Sequence, residues 1–271
     1  MSLQMRVSIF HVIFNVTTTC LLLPFVKQLV QYSCWVIKDR KQEGTTHSLK
    51  YVDDRLLTLP SVAMMQVKKE IDYMLSLVEE NIRYSLASID GNPAVNAEKI
   101  SENEDIIDFT NGNLTQFLIK LSACVDERDE QKIGAYFHVL NDLERIGDHA
   151  ENFHEIGQEM LGKELAFSDT ALSDIKQMYG VAIAMIAIAK DAFDTESPDR
   201  LPALTDLENQ TDEMKRVFSA KHFSRLSEGN CSLEVSPYYT STITGLERVA
   251  DHLVNVGYSI LSPTGSQGDN E

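Results

Sequence analysis

Long stretches of this chain carry apolar residues in steps of three and four, the spacing that lines one face of an α-helix. Ile71, Leu75, Val78, Ile82, Leu86 and Ile89 form the first stripe, and Pro60 ahead of them suits the first turn of a long helix. Asp90-Gly91-Asn92-Pro93 stops it. Ile100, Ile107, Leu114, Leu118, Leu121 and Val125 make a second stripe, broken at the charged run Asp126 to Glu130. Tyr136, Leu140, Leu143, Gly147, Ala150 and Phe153 make a third, which runs to about Gly162. The plan then recurs. Leu172, Ile175, Tyr179, Ala182, Ile186, Ala189 and Phe193 carry a fourth helix, whose small residues suit it to the innermost contact between two halves. Leu204, Leu207, Thr211, Met214 and Phe218 carry a fifth, and a sixth extends to about Leu261. Ser197-Pro198 and Ser236-Pro237 read as N-cap and first helical residue of the last two. Apolar and polar residues do not alternate for long anywhere, so the pattern predicts an all-α fold.

Ahead of these helices, Val7 to Val26 is a run of twenty residues free of Asp, Glu, Lys and Arg, long enough to cross a bilayer. Its polar members His11, Asn15 and Thr17 to Thr19, with Pro24, suit a helix packed against other membrane helices better than a lone anchor. Lys38, Arg40 and Lys41 follow, and basic residues beside a span mark the cytoplasmic side. The expectation is a membrane segment over 1–38 in the inner (cell) membrane, with 39–271 cytoplasmic. A linker over 39–60, bundles of three helices over 61–165 and 166–262, and a frayed tail over 263–271 complete the division.

Charge narrows the function. The net charge is −17, and residues 61–271 hold 17 Lys and Arg against 37 Asp and Glu. Such acidity excludes a nucleic-acid backbone as partner and suits cations. Cys20, Cys34, Cys124 and Cys231 are too scattered for a disulfide framework or a zinc site, and read as free thiols.

The acids are patterned. Leu-Glu-Arg-x-x-Asp-His occurs at Leu143 to His149 and again at Leu246 to His252, so the chain contains an internal repeat. Glu144/Asp148 and Glu247/Asp251 are carboxylate pairs one helical turn apart, on a shared face. Glu104/Asp108 and Glu208/Asp212 precede them in the same register: the first pairs are offset by 104 residues, the second by 103. On helical wheels all four pairs fall on the same flank of their own stripes, where core meets water. Acids in such rows usually do no more than solvate a helix edge. Four pairs in duplicated register instead predict that the second and third helices of each half bring four carboxylates together as a metal site. All-oxygen ligands suit iron, manganese, magnesium or zinc. Glu151, Asn152 and Asn255 lie one turn further along and are candidate accessory ligands. Arg145 and Arg248 are expected at the surface or in ion pairs, and His149 and His252, on the opposite flank from the acids, in supporting roles.

These motifs resemble the PhoU domain, whose signature is the repeated acid pair within a duplicated three-helix plan. The resemblance covers about residues 60 to 262. It implies two bundles related by a pseudo-twofold, with multinuclear metal clusters on the acidic surface in some members. The segments His11 to Asn15, Leu23-Pro24-Phe25 and Asp54 to Pro60 are similar to the end of the membrane domain of bacterial sodium/phosphate cotransporters, whose cytoplasmic tail is PhoU-like. The duplicated membrane repeats with Gln-Ser-Ser-type motifs are missing from these residues, so the chain is not expected to transport phosphate alone. Its opening Met-Ser-Leu reads as an added leader, with Met5 as an alternative start.

The favoured reading is a regulatory, metal-binding module that controls phosphate uptake and is not an enzyme. Its expected partners are the membrane, the missing transporter domain and a phosphate-signalling protein, with homo-oligomers left open. A free-standing phosphate-signalling scaffold is the alternative. A di-iron enzyme needs two Glu-x-x-His motifs, and only Glu151 to His154 supplies one.

Overall fold

The computed structural model describes residues 3–25, 47–92, 97–229 and 231–259. Val26, Cys34, the basic cluster Lys38/Arg40/Lys41, Pro93 and the tail after Ser259 lie outside them. The chain divides into two units, 1–46 and 47–271.

In the first unit, α1 (Leu3–Leu22) continues into a short 3-10 turn, Leu23–Phe25. The stretch Met5–Phe25 is long and apolar enough to cross a membrane.

The second unit is built of α2 (Pro60–Ile89), α3 (Ala97–Ser122), α4 (Glu127–Gly162), α5 (Asp169–Thr195), α6 (Leu201–Ser227) and α7 (Ser236–Ser259). Among the described residues there is no strand. Local chemistry sets the boundaries. Asp126 caps α4 by accepting from the Asp129 amide at 3.0 Å, and Glu127, Asp129 and Glu130 lie in its first turn, at the positive end of the helix dipole. The acidic run that breaks the second stripe is therefore the start signal of the third. Ser168 caps α5 in the same way. Gly91 and Gly229 turn the chain out of α2 and α6 at φ 74°, a conformation costly for residues with a Cβ.

Two boundaries depart from the sequence reading. Ser197 caps a 3-10 turn, Pro198–Arg200, which leads into α6, so the serine sits one turn earlier than expected. At the start of α7 the first helical bond runs from the Tyr239 amide to the carbonyl of Val235, and the Ser236 hydroxyl pairs with His222 Nε2 at 2.8 Å. Val235 is thus the residue flanking the helix, and Ser236 ties α7 to α6.

Each half is a three-helix bundle: α2, α3 and α4 pack on one another, as do α5, α6 and α7. The halves then meet through equivalent helices, α4 on α7 and, less extensively, α2 on α5, as a pseudo-twofold requires. The principal seam is α4 with α7, so the fourth helix of the sequence reading is a secondary contact. Leucine and isoleucine residues at 71, 143, 175, 186 and 246 are essentially sealed from water, each worth about 1.5–3 kcal/mol of burial. In the second contact the Tyr179 hydroxyl meets Ser85 Oγ at 3.1 Å, and its ring packs edge-on to Phe153.

The stretch expected as a linker joins this core from residue 47 onward. Buried Glu70 accepts from the amides of Lys50 (3.0 Å) and Tyr51 (2.6 Å), and Val52 is packed inside. A buried carboxylate that satisfies two backbone donors holds the strap before α2 against the bundle.

Candidate metal centre

Because α3 packs along α4, the acids on their facing flanks converge. Glu104 and Asp108 come from α3, and Glu144, Asp148 and Glu151 from α4. Glu104 is the innermost, 6% exposed, and neither of its carboxylate oxygens has a hydrogen-bond partner. Burial, reinforced by Asp108, Glu151, Asp148 and Glu144, pushes its pKa up to about 8. Asp108 is raised by burial and then by Asp148, and Glu151 by burial and then by Glu155 and Asp108. Burial and Asp148 also raise Glu144, against the pull of Arg145. Arg145 lies 2.9 Å from Asp148 and 3.4 Å from Glu144, but Glu144 Oε2 forms no hydrogen bond. Arg145, half in solvent, thus pairs with two of the five carboxylates.

The second half repeats the arrangement with Glu208 and Asp212 on α6 and Glu247 and Asp251 on α7. One oxygen from each of Glu208, Asp212 and Asp251 lies within 4.8 Å of the others. Burial and then Asp212, Asp251 and Glu247 raise Glu208, while burial and then Glu247 and Asp212 raise Asp251. Lys215 Nζ, 2.7 Å from Glu247, is the local counter-charge. This cluster is more open, and a single methyl accompanies the difference. In the first half Glu104 lies against Gly147, whereas the repeat places Ala250 opposite half-buried Glu208.

Glu208, Asp212 and Asp251 stand close enough to share a hard divalent cation, and in the first set the buried, unpartnered Glu104 is the feature that calls for one. A buried carboxylate without a donor must be protonated or meet positive charge. Ligand oxygens 2.0–2.6 Å from one ion lie at most about 4–5 Å apart, the spacing within the second set. The residues that would hold it are Glu104, Asp108, Glu144 and Asp148 in one half and Glu208, Asp212, Glu247 and Asp251 in the other. Iron, zinc, manganese and magnesium all accept such ligands.

The accessory candidates separate. Glu151 joins the first acidic cluster. Asn152 lines a groove between α4 and α7, and Asn255 donates to Asp142 Oδ1 at 3.4 Å, so both amides face the seam. His154 pairs with Ser88 at 2.6 Å, away from the acids, which removes the Glu-x-x-His geometry a di-iron site needs. His149 and His252 meet at the seam with ring centroids 6.1 Å apart.

Sequence reasoning passed over Asp142, which is buried and lies 2.7 Å from His252 Nδ1 across the seam. A signal was present: the repeat aligns Asp142 with Gly245, a charge in one copy and no side chain in the other.

Comparison with known proteins agrees with this architecture. The family described as PhoU domain matches residues 71–156 and 175–260. The phosphate-specific transport system accessory protein PhoU homolog 1 of Thermotoga maritima is 28% identical over 72% of this chain and 84% of its own. The Escherichia coli (strain K12) protein YjbB, proposed to export inorganic phosphate, is 22% identical over 97% of this chain, which spans 49% of that relative. The crystal structure of PhoU from Pseudomonas aeruginosa superposes with a TM-score of 0.68 at 18% identity, covering 73% of this chain and 94% of its own.

Proposed function

The chain belongs to the PhoU domain family, and from that premise we propose that it is the regulatory, metal-binding domain of a membrane phosphate transporter of the sodium/phosphate cotransporter kind. The observation that carries the reading is the duplicated acidic cluster, with Glu104 buried and unpartnered at the base of one copy. Bound cations would neutralise the clusters and fix α3 against α4 and α6 against α7. Residues from 47 onward then form a rigid cytoplasmic body, and α1 is the end of the membrane domain. The alignment with YjbB through nearly the whole of this chain, α1 included, supports the membrane attachment. That relative is named for export, so we assign the module to phosphate flux without fixing uptake as its direction. The carboxylates serve in binding, with no chemistry of their own, in keeping with relatives named as accessory and regulatory proteins.

A second reading, a free-standing PhoU-type accessory protein that contacts a phosphate-signalling partner, is supported by the Thermotoga relative, 84% of which aligns with this chain. Fractionation separates the two: membrane association that resists carbonate and high salt supports the first, and a soluble full chain the second.

Function itself is tested by phosphate flux. Replacing the gene in its own host with a Glu144→Ala/Asp148→Ala/Glu247→Ala/Asp251→Ala version should change the steady-state rate of labelled phosphate movement at normal protein levels. Flux identical to that of the parent would refute the regulatory role.

A further inference from the structure

The pseudo-twofold breaks at the α4–α7 seam, and the break leaves a groove. On one side of the seam the Asp142 carboxylate stands 2.7 Å from His252 Nδ1 and accepts from the Asn255 amide at 3.4 Å. The repeat carries the same two partners to the other side as His149 and Asn152, but aligns Asp142 with Gly245. A Cβ on Gly245 would lie 3.7 Å from His149 Nδ1, so the imidazole faces this position as His252 faces Asp142. It would also lie 2.6 Å from the ring of Phe153, which closes the position to any side chain.

Beside this filled position, and bordered by Gly245, lies an open cavity of about 620 Å³, lined also by His149 and Asn152 from α4 and by Ser241, Thr244 and Arg248 from α7. None of its lining residues is acidic, in a chain of net charge −17. Among the described residues the side chains of His149, Asn152 and Arg248 make no hydrogen bond or ion pair. The equivalent arginine, Arg145, is held by Asp148 and Glu144, which leaves Arg248 as the uncommitted cation of the repeated motif. A guanidinium, two hydroxyls, an amide and an imidazole around a cavity are the donors that recognise an oxyanion.

We propose that this groove binds a small oxyanion, taking the role on this side that the Asp142 carboxylate fills on the other, and that the anion is inorganic phosphate. The oxyanion site stands on the broken symmetry; the choice of phosphate rests on the phosphate-transport reading above. Because His149 follows Asp148 and Arg248 follows Glu247, an anion held between them bridges the two helices that carry the acidic clusters. Phosphate would thereby tie one half to the other at the level of both clusters.

The test is calorimetric titration of the full chain, in detergent and with chelator present so that bound metal contributes nothing, using sodium phosphate, sodium sulfate and sodium acetate as separate titrants. Saturable phosphate binding, weakened at least tenfold in Arg248→Gln and measurably in Thr244→Val but unchanged in Arg83→Gln, is the expected result. Arg83, paired with Glu79 on α2, makes the same change of charge far from the groove. Saturable binding of sulfate or acetate without phosphate would keep the oxyanion site and overturn phosphate as its ligand. No saturable binding of any of the three, or equal affinity in Arg248→Gln and the parent, would overturn the site, and circular dichroism of each variant confirms that the helices are intact.

Discussion

The carboxylate of Glu104 lies over Gly147, its two oxygens 2.8 and 3.2 Å from where a Cβ at position 147 would project. The glycine lets α3 set a charged group deep against α4, and Ala250 in the other copy allows no equal depth. Gly147→Ala should therefore push Glu104 outward and weaken metal binding in the first cluster while leaving the second unchanged. Stability should shift by no more than about 1 kcal/mol, because gained helix propensity opposes the crowding of a mobile carboxylate. Metal titration with and without the substitution in an Asp212→Asn/Asp251→Asn background isolates the first cluster. Unaltered affinity there would show that the depth of Glu104 is irrelevant.

Without metal, Glu104 makes stability depend on pH in a direction opposite to that of an ion-paired acid. Its pKa rises from 4.5 unfolded to about 8 folded, so between these values the native state binds more protons than the unfolded one. The slope is then negative: this contribution is fully present below about pH 4.5 and is lost as pH rises through 8. Asp108, Glu144, Glu151, Glu208 and Asp251 are raised too and act in the same sense. Urea unfolding with chelator should show a loss of up to a few kcal/mol between pH 5.5 and 8.5, much of it abolished by Glu104→Gln. A loss undiminished in that variant would mean the carboxylate is hydrated.

Glu70→Ala should release the strap at 47–53. The amides of Lys50 and Tyr51 lose their buried acceptor, at a cost of about 1–3 kcal/mol. Limited proteolysis should then cut ahead of α2, with the cleaved body still helical. Protection equal to that of the parent would place the strap's anchorage elsewhere, at Val52 and Leu49.

Ala182, 2% exposed on α5, faces the core. Ala182→Arg buries a charge without a partner and should cost several kcal/mol in denaturant unfolding. Arg145→Ala, which removes a half-exposed ion pair, should cost less than about 1 kcal/mol. Comparable losses in the two variants would contradict the packing of α5.

The six helices of the bundles were legible because their stripes are long and periodic, and the acid pairs because duplication repeated them in register. What escaped depends on partners distant in sequence. Glu70 reads as a surface acid of a helix until the strap folds over it, and Asp142 as one more charge in an acidic motif until α7 brings His252 to it. The depth of Glu104 is set by Gly147, forty-three residues away and on another helix. Asn152 and Asn255 share the spacing of the acids, but one turn of helix is enough to rotate them from the acidic flank to the seam. The choice of α4 and α7 for the seam follows from which stripe is left over once each bundle has closed, and periodicity alone does not rank stripes.

The central claim is that the two acidic clusters hold metal, and elemental analysis of the full chain purified without chelator tests it most directly. The account predicts bound iron, zinc, manganese or magnesium, lost in Glu144→Ala/Asp148→Ala/Glu247→Ala/Asp251→Ala. Removing like charges relieves repulsion in the metal-free state, so that variant should remain folded by circular dichroism. Equal metal in the parent and the folded variant, or none in the parent even after incubation with each of the four ions, would contradict it.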